Sequence, residues 1–148
     1  MTNDEIKGQL NDFEILCLTV IGEGRGEPVE GQIAIANVIM NRSRIQKKSI
    51  KEICLAPAQF SCWNETDPNR LLLETLIKEI LLGNHEVGFY KQIMYVVGGV
   101  YDGKISDNTK GVQNYMTTKL FNSPLRPGWA KKPKAEPFQI GSHTFIRV

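Results

Sequence analysis

The sequence has few of the residues that metal and redox sites require. Its 148 residues include three cysteines and two histidines, and no two cysteines form a C-x-x-C pair. We therefore expect no zinc or other metal site and no cofactor. Cys17 lies in an apolar run and is predicted to be a thiol of the hydrophobic core.

Targeting and membrane segments are also missing. Residues 1–9 are polar and have neither the basic nor the apolar region of a signal peptide. The apolar run 71–82 is interrupted by Glu74, Lys78 and Glu79, so it does not predict a membrane-spanning helix. We therefore expect the chain to be made in a reducing cytosol, with no export signal of its own.

Motifs for nucleophilic and phosphate chemistry are absent as well. The sequence contains no G-x-S-x-G, and neither histidine has a sequence context that would pair it with a nucleophilic serine or cysteine. His85 is predicted to be exposed and His143 to be structural. The glycines of Gly22-x-Gly24-x-Gly26 follow a helical run rather than a strand, and no P-loop lysine accompanies them, which argues against a nucleotide site.

Composition indicates one globular domain over residues 1–148, with residues 1–11 as a polar N-terminal segment. Of the residues, 41% are hydrophobic and 23% charged, and the net charge is +2. Residues 1–30 carry seven acidic and two basic side chains, whereas residues 119–148 carry six basic and one acidic. A basic end suits an anionic polymer such as nucleic acid, a lipid surface or bacterial wall, although a solvated face explains the same asymmetry.

The apolar pattern predicts helices first and short strands last. Helices are expected at residues 13–22, 28–45, 50–55, 69–82 and 90–101. Residues 121–137 are predicted to form an extended wrap, and residues 138–148 a terminal hairpin. This order indicates an α+β fold that is mainly helical.

The candidate chemistry concentrates in the stretch from Ile21 to Pro28. Glu23 directly follows a core-like apolar run, and Gly24 after it is expected to let the chain reverse. A carboxyl group there would lose hydration, which raises its pKa and makes it a proton donor near neutral pH. The alternative is a charged turn in which Glu23 and Glu27 pair with Arg25, and these residues by themselves favour that alternative.

Carbohydrate chemistry fits the remaining polar and aromatic residues best. Cleavage of a glycosidic bond needs a protonated carboxyl group and side chains that hold a sugar. Glu23 would supply the acid. Neutral hydrogen-bonding groups come from Gln59, Ser61, Asn64 and Tyr115, and aromatic faces from Phe60, Trp63 and Trp129. Phe60 and Trp63 taken singly are more typical of a core, but the joint occurrence moderately favours a sugar site.

Five segments carry a resemblance to a known family. They are G-E-G-R-G-E-P at 22–28, G-Q-I-A-I-A-N-V-I-M-N-R at 31–42, Q-F-S-C-W-N at 59–64, D-N-T-K-G-V-Q-N-Y at 107–115 and I-G-S-H-T-F at 140–145. In these the chain resembles the spore cortex-lytic (SleB-type) cell-wall hydrolase family. The resemblance implies a lysozyme-like, lytic transglycosylase-like core with a small C-terminal β lobe. It also implies cleavage between N-acetylmuramic acid and N-acetylglucosamine in peptidoglycan.

The resemblance also implies which residues act. Glu23 matches the family's catalytic acid, and in the transglycosylase mechanism it serves as acid and then as base. The substrate-binding candidates are Gln59, Phe60, Ser61, Trp63, Asn64, Thr109, Asn114 and Tyr115. Asp107 and Glu27 are the candidate second carboxylates of a hydrolytic muramidase. A non-catalytic peptidoglycan-binding module is a further alternative, from another functional class.

Three positions depart from the family pattern. Gly24 stands where relatives often have alanine, Asn108 replaces a proline, and Asn114 stands where many relatives have histidine or tyrosine. We expect no peptidoglycan-binding domain in front of the catalytic segment, although the family usually has one. We therefore expect a monomeric bacteriophage endolysin that acts on peptidoglycan, binds no nucleic acid, and waits in the host cytoplasm until a holin opens the membrane. A prophage-borne or host autolysin is the alternative.

Overall fold

Seven helices and three short strands make up the protein, which a computed structural model describes from Met1 to Val148. The helices are α1 Asn3–Gln9, α2 Asp12–Gly24, α3 Val29–Gln46, α4 Ile50–Leu55, α5 Arg70–Leu81, α6 Gly88–Tyr101 and α7 Thr118–Phe121. The strands are β1 Asn114–Thr117, β2 Phe138–Ile140 and β3 His143–Ile146. Single 3₁₀ turns lie at Ser61–Trp63 and Gly128–Ala130. The prediction of a mainly helical α+β fold is confirmed.

Helix α2 is the centre of the helical part. Every residue from Ile15 to Gly22 is buried, and α2 packs against α3, α4 and α6. A helix that is apolar around most of its circumference has to be covered on all sides, which explains this central position. Its start is fixed by a capping box, in which Asn11 accepts from the Glu14 backbone N–H and Glu14 accepts from that of Asn11, both at 2.8 Å.

The sheet is small, antiparallel and ordered β1-β3-β2. The central strand β3 is buried at all four residues. Phe145 of β3 lies opposite Tyr115 of β1 and packs with Ala34 and Val38 of α3 in a small apolar cluster. The sheet therefore rests on α3, and this contact brings β1 next to the helices. The predicted terminal hairpin is the β2–β3 pair, which turns at Gly141.

Helix α2 extends beyond its predicted end, so Glu23 and Gly24 both lie inside it. The expectation that Gly24 reverses the chain is wrong, because Gly24 does not have a positive φ. A glycine is needed there for space: a Cβ at Gly24 would lie 2.5 Å from Cδ1 of Ile35, and one at Gly22 would lie 2.5 Å from Cβ of Cys62. These two glycines allow α2 to approach its neighbours closely.

Helix α1 was not predicted. The sequence analysis assigned residues 1–11 only as a polar segment, because Ile6 is the one apolar side chain that α1 buries. Helix α7 was not predicted either, and the remaining five helices begin and end within two residues of their predicted bounds. Within residues 121–137, the predicted wrap, the 3₁₀ turn is the main regular feature. None of the seven helices combines the length and the hydropathy that a membrane-spanning helix needs.

Candidate active site

Glu23 lines a pocket of about 350 Å³ between the helices and the sheet. The walls come from α2, α3, the irregular segment before the first 3₁₀ turn, and β1. The lining residues are Glu23, Arg42, Ala58, Gln59, Phe60, Ser61, Asn64 and Tyr115. Six of the residues singled out from the sequence thus lie in one pocket, although they come from segments far apart in the chain.

The Glu23 carboxyl group is kept protonated to an unusually high pH. Burial raises its pKa from the ordinary 4.5 to about 7, and the negative charge of Asp67 adds to the rise. The backbone N–H of Ser61 opposes the shift, because it stabilises the carboxylate. Near neutral pH the group can therefore donate a proton and afterwards take one back.

The segment from Gln59 to Asn64 is held against α2 by its buried side chains. Trp63 is 2% exposed, and its Nε1 donates a hydrogen bond to Oγ1 of Thr19 at 2.9 Å. Cys62 packs on Gly22, where no larger residue fits. Phe60 is also buried and lines the pocket. Because Cys62 and Trp63 anchor the segment, Gln59, Ser61 and Asn64 are left exposed at the pocket.

Arg42 is a pocket residue that the sequence analysis did not single out. Its Nε donates to the carbonyl of Gln113 at 2.6 Å, its Nη1 donates to Oε1 of Gln59 at 3.3 Å, and its guanidinium lies 5.2 Å from the centre of the Phe60 ring. Burial lowers its pKa. Arg42 thus ties α3 to both walls of the pocket. The only signal in the sequence was its place at the end of the motif 31–42.

Tyr115 faces Glu23 from β1. Burial and the charge of Glu23 raise the pKa of its hydroxyl, so the hydroxyl stays protonated at neutral pH. The ring is held edge-on against His143, with 5.0 Å between the centroids, and tilted against Phe145 at 5.6 Å. A fixed hydroxyl of this kind can both donate and accept a hydrogen bond.

Glu27 lies outside this pocket and fastens the hairpin to the helices. Its Oε1 accepts from the Ser142 N–H at 2.8 Å and contacts Nδ1 of His143 at 3.1 Å, while its Oε2 accepts from the Ser142 hydroxyl at 2.8 Å. Burial alone would raise the pKa of Glu27, but the hydrogen bonds from Ser142 and the charge of His143 lower it overall. Both oxygens are therefore occupied.

Asp107 is likewise outside the pocket and organises its own loop. Its Oδ1 accepts from the Thr109 N–H at 2.8 Å and the Thr109 hydroxyl at 2.7 Å. Its Oδ2 accepts from Nδ2 of Asn41 and the Gly111 N–H, both at 2.9 Å. These bonds outweigh the effect of burial and lower the pKa of Asp107. Thr109 is fully buried in this network and does not reach the pocket.

The other candidates from the sequence lie elsewhere. Asn114 lines a neighbouring depression of about 180 Å³, which shares Arg42 and Gln59 with the Glu23 pocket. Trp63 is part of the core, and Trp129 is half-exposed on the second 3₁₀ turn. No three His, Cys, Asp or Glu side chains are grouped closely enough to hold a metal ion. The pocket thus offers one proton donor, one guanidinium and neutral polar groups.

Comparison with the sequences of known proteins gives short local matches. A spore cortex-lytic enzyme of Bacillus subtilis strain 168 is 45% identical over 53 residues, which are 34% of this chain and 17% of that protein. The corresponding enzyme of Oceanobacillus iheyensis is 40% identical over 53 residues, or 34% of this chain and 19% of that protein. The chain therefore matches less than a fifth of the length of these curated relatives.

Solved structures match over most of the chain. The catalytic domain of the germination-specific lytic transglycosylase SleB from Bacillus anthracis superposes with a TM-score of 0.61 at 21% identity, covering 92% of this chain and 93% of that one. The SleB catalytic domain from Bacillus cereus gives a TM-score of 0.59 at 22% identity, covering 92% and 89%. At these identities the likeness shows a shared fold, which is lysozyme-like as predicted.

A family profile extends the match along the sequence. Residues 26–146 match the family described as cell wall hydrolase, and this segment contains every lining residue of the pocket except Glu23. With more than half of the chain matched, and with the fold shared, the chain belongs to the cell wall hydrolase family.

Proposed function

We propose that this protein cleaves the glycan strand of bacterial peptidoglycan between N-acetylmuramic acid and N-acetylglucosamine, as a lytic transglycosylase with Glu23 as acid and base. Membership of the cell wall hydrolase family supports the substrate. The two structural relatives are named as SleB, one of them as a lytic transglycosylase, which supports the reaction.

The observation that carries the proposal is a single carboxyl group of pKa about 7 in a pocket of otherwise uncharged or cationic side chains. In the protonated form, Glu23 donates its proton to the oxygen of the glycosidic bond as that bond breaks, and the N-acetylglucosamine leaves as an alcohol. The Glu23 carboxylate then removes the proton from the C6 hydroxyl of the muramic acid. That oxygen bonds to C1 and closes an anhydro ring, so no water is consumed.

Intramolecular ring closure suits this site because no second carboxylate lines the pocket. Hydrolysis with retention needs a carboxylate about 5–5.5 Å from the acid, and inversion needs one at about 6.5–9.5 Å. The oxygens of Glu27 and Asp107 are engaged by Ser142, His143, Thr109, Asn41 and Gly111. Asp67 is near enough to raise the pKa of Glu23, but it does not line the pocket, and its Oδ1 accepts from the Asn69 N–H at 2.8 Å.

The neutral lining residues are proposed to hold the sugar. Gln59, Ser61 and Tyr115 would position the muramic acid and its N-acetyl group by hydrogen bonds, since all three face the pocket. Arg42 would keep Gln59 in place through the hydrogen bond between them. This division leaves Glu23 as the one group that changes protonation during the reaction.

Digestion of purified peptidoglycan by the wild type and by Glu23→Gln, followed by mass spectrometry of the products, tests the proposal. We expect muropeptide ends lighter by one water, as in anhydro-muramic acid, and a loss of activity of at least about 10²–10⁴-fold in the variant. Reducible muramic acid ends would show a hydrolase. Binding to the wall without release of muropeptides would show a binding module.

The biological setting is proposed more broadly as bacterial lysis by a phage endolysin. The origin, the holin, the monomeric state and the cytoplasmic location before lysis stay predictions. Inspection of the genomic neighbours tests them: a holin gene alongside supports the phage origin, and sporulation genes alongside would contradict it.

A further inference from the structure

A second, larger cavity adjoins the Glu23 pocket. It has a volume of about 820 Å³ and shares Ala58 and Asn64 with the pocket. Its walls are α1, the region from Lys48 through α4 to Ala58, and residues 63–66. The volume is in the range of ligand sites, about 300–1,000 Å³. We call this space the stem cavity.

Charge distinguishes the stem cavity from the Glu23 pocket. Five charged side chains line it: Asp4, Lys7, Lys48, Glu52 and Glu65. All five residues are exposed, and none takes part in any of the ion pairs of the protein. A neutral sugar strand would form no ion pair with any of these side chains. A ligand with both carboxylate and amino groups would provide partners for both signs.

The wall formed by α1 is built into the fold. Arg70, which is 3% exposed, donates to the Met1 carbonyl at 2.6 Å, to Oδ1 of Asn3 at 2.6 Å and to the Trp63 carbonyl at 2.7 Å. Ile6 of α1 is fully buried in the core. Because Arg70 ties α1 to the same turn that carries Ser61, the stem cavity and the Glu23 pocket have a fixed relative position.

We propose that the stem cavity binds the peptide stem of the muramic acid whose bond is cleaved. This inference rests on the proposed function. In peptidoglycan the stem is attached to the lactyl group of muramic acid, so it leaves the strand beside the scissile bond. The glycan is uncharged, whereas an uncrosslinked stem carries free carboxylates and the amino group of its diamino acid. Lys7 and Lys48 face the carboxylates, and Asp4, Glu52 and Glu65 face the amino group.

Binding of the stem can be measured without turnover. The probe is the free tetrapeptide L-alanyl-D-glutamyl-diaminopimelyl-D-alanine, titrated into ¹⁵N-labelled full-length Glu23→Gln and followed by NMR. We expect shifts in the amide signals of α1 and residues 63–66. When Lys7→Ala and Lys48→Ala are added to Glu23→Gln, the Kd of the tetrapeptide should rise about fivefold or more. The matched control is Lys78→Ala/Lys104→Ala, which removes two exposed lysines outside the cavity. The inference would be overturned if the amide signals of these segments did not shift, or if both double variants raised the Kd equally.

Kinetics supply the second measurement. Glycan strands are prepared with intact stems and, from the same wall, with stems removed by an amidase that cuts the lactyl–alanine bond. We expect kcat/KM of the wild type to be about fivefold or more higher on the intact strands. The Lys7→Ala/Lys48→Ala variant should lose this advantage, with a smaller change on stripped strands, which keep only the lactyl carboxylate that the amidase frees. An equal loss on both substrates would assign the cavity to the sugar strand. Absence of cleavage of either substrate would refute the proposed function instead, and the peptide titration would then decide for or against the stem cavity.

Discussion

The raised pKa of Glu23 predicts that this side chain destabilises the fold above neutral pH. In the folded protein the pKa is about 7, against an ordinary value of 4.5 in the unfolded chain. Between these two pH values the folded state binds more protons than the unfolded state. The free energy of unfolding therefore falls as the pH rises through this window, and the whole loss is present above pH 7.

The magnitude follows from the same two pKa values. Each tenfold change in proton affinity is worth about 1.4 kcal/mol, so ionised Glu23 costs the fold about 2–3 kcal/mol once solvent screening at the pocket mouth is included. Glu23→Gln has nearly the same shape but cannot ionise. We therefore expect the stability difference between this variant and the wild type to grow with pH, mostly between pH 5 and pH 8, in favour of the variant.

Urea denaturation of both proteins at pH 5, 6, 7 and 8 measures this difference. Comparing the difference across pH removes any constant effect of the amide group. Glu136→Gln, at an exposed carboxylate, is the control for the substitution itself. A difference that stays flat from pH 5 to pH 8 would refute the argument that burial raises the pKa of Glu23, and with it the main support for Glu23 as the acid.

Three further predictions concern activity and packing. The kcat/KM of the wild type should fall about tenfold per pH unit above pH 7. Asp67→Asn should move this fall to lower pH, because it removes a charge that raises the pKa of Glu23. Identical pH profiles of the two proteins would contradict the role of Asp67. Gly22→Ala should lower the free energy of unfolding by about 1–3 kcal/mol, because its Cβ would lie 2.5 Å from Cβ of Cys62. Chemical denaturation measures this, and the control is Gly26→Ala, whose Cβ would have no atom within 4 Å. Asp107→Asn should cost about 1–3 kcal/mol of stability through its lost acceptor, yet keep kcat/KM within about threefold; a loss of activity as large as that of Glu23→Gln would identify Asp107 as a second catalytic carboxylate.

Local sequence patterns determined most of the helical architecture. Apolar spacing placed α3, α5 and α6 to within two residues, and the N-cap at Ser49 marked the start of α4. These signals are local because a helix is defined by hydrogen bonds and side-chain contacts within a few residues. The segments around Glu23 and from Gln59 to Asn64 were also identified, since their residue types carry the chemistry.

Tertiary structure decided which of the candidate residues share a pocket. The hydrogen bonds of Glu27 reach Ser142, 115 residues away, and Asn41 reaches Asp107 across 66 residues. Thr109 and Gly111 beside Asp107 indicated a loop-stabilising turn, but no local pattern indicates the bonds to Asn41, Ser142 and His143, so the sequence left both carboxylates open as catalytic groups. Arg42 was missed for the same reason, because its partners Gln59 and Gln113 meet it only after folding.

Gly24 shows the same limit at the scale of one residue. A glycine after a helical run is typical of a chain reversal, yet here Gly24 continues α2. A glycine is needed at this position because the side chain of Ile35 occupies the place that a Cβ would take. Helix α1 buries one apolar residue and owes its place to Arg70. The sequence by itself therefore determined the helices and the chemistry available. Packing between distant segments decided which carboxylate is desolvated, and so which one can act as an acid.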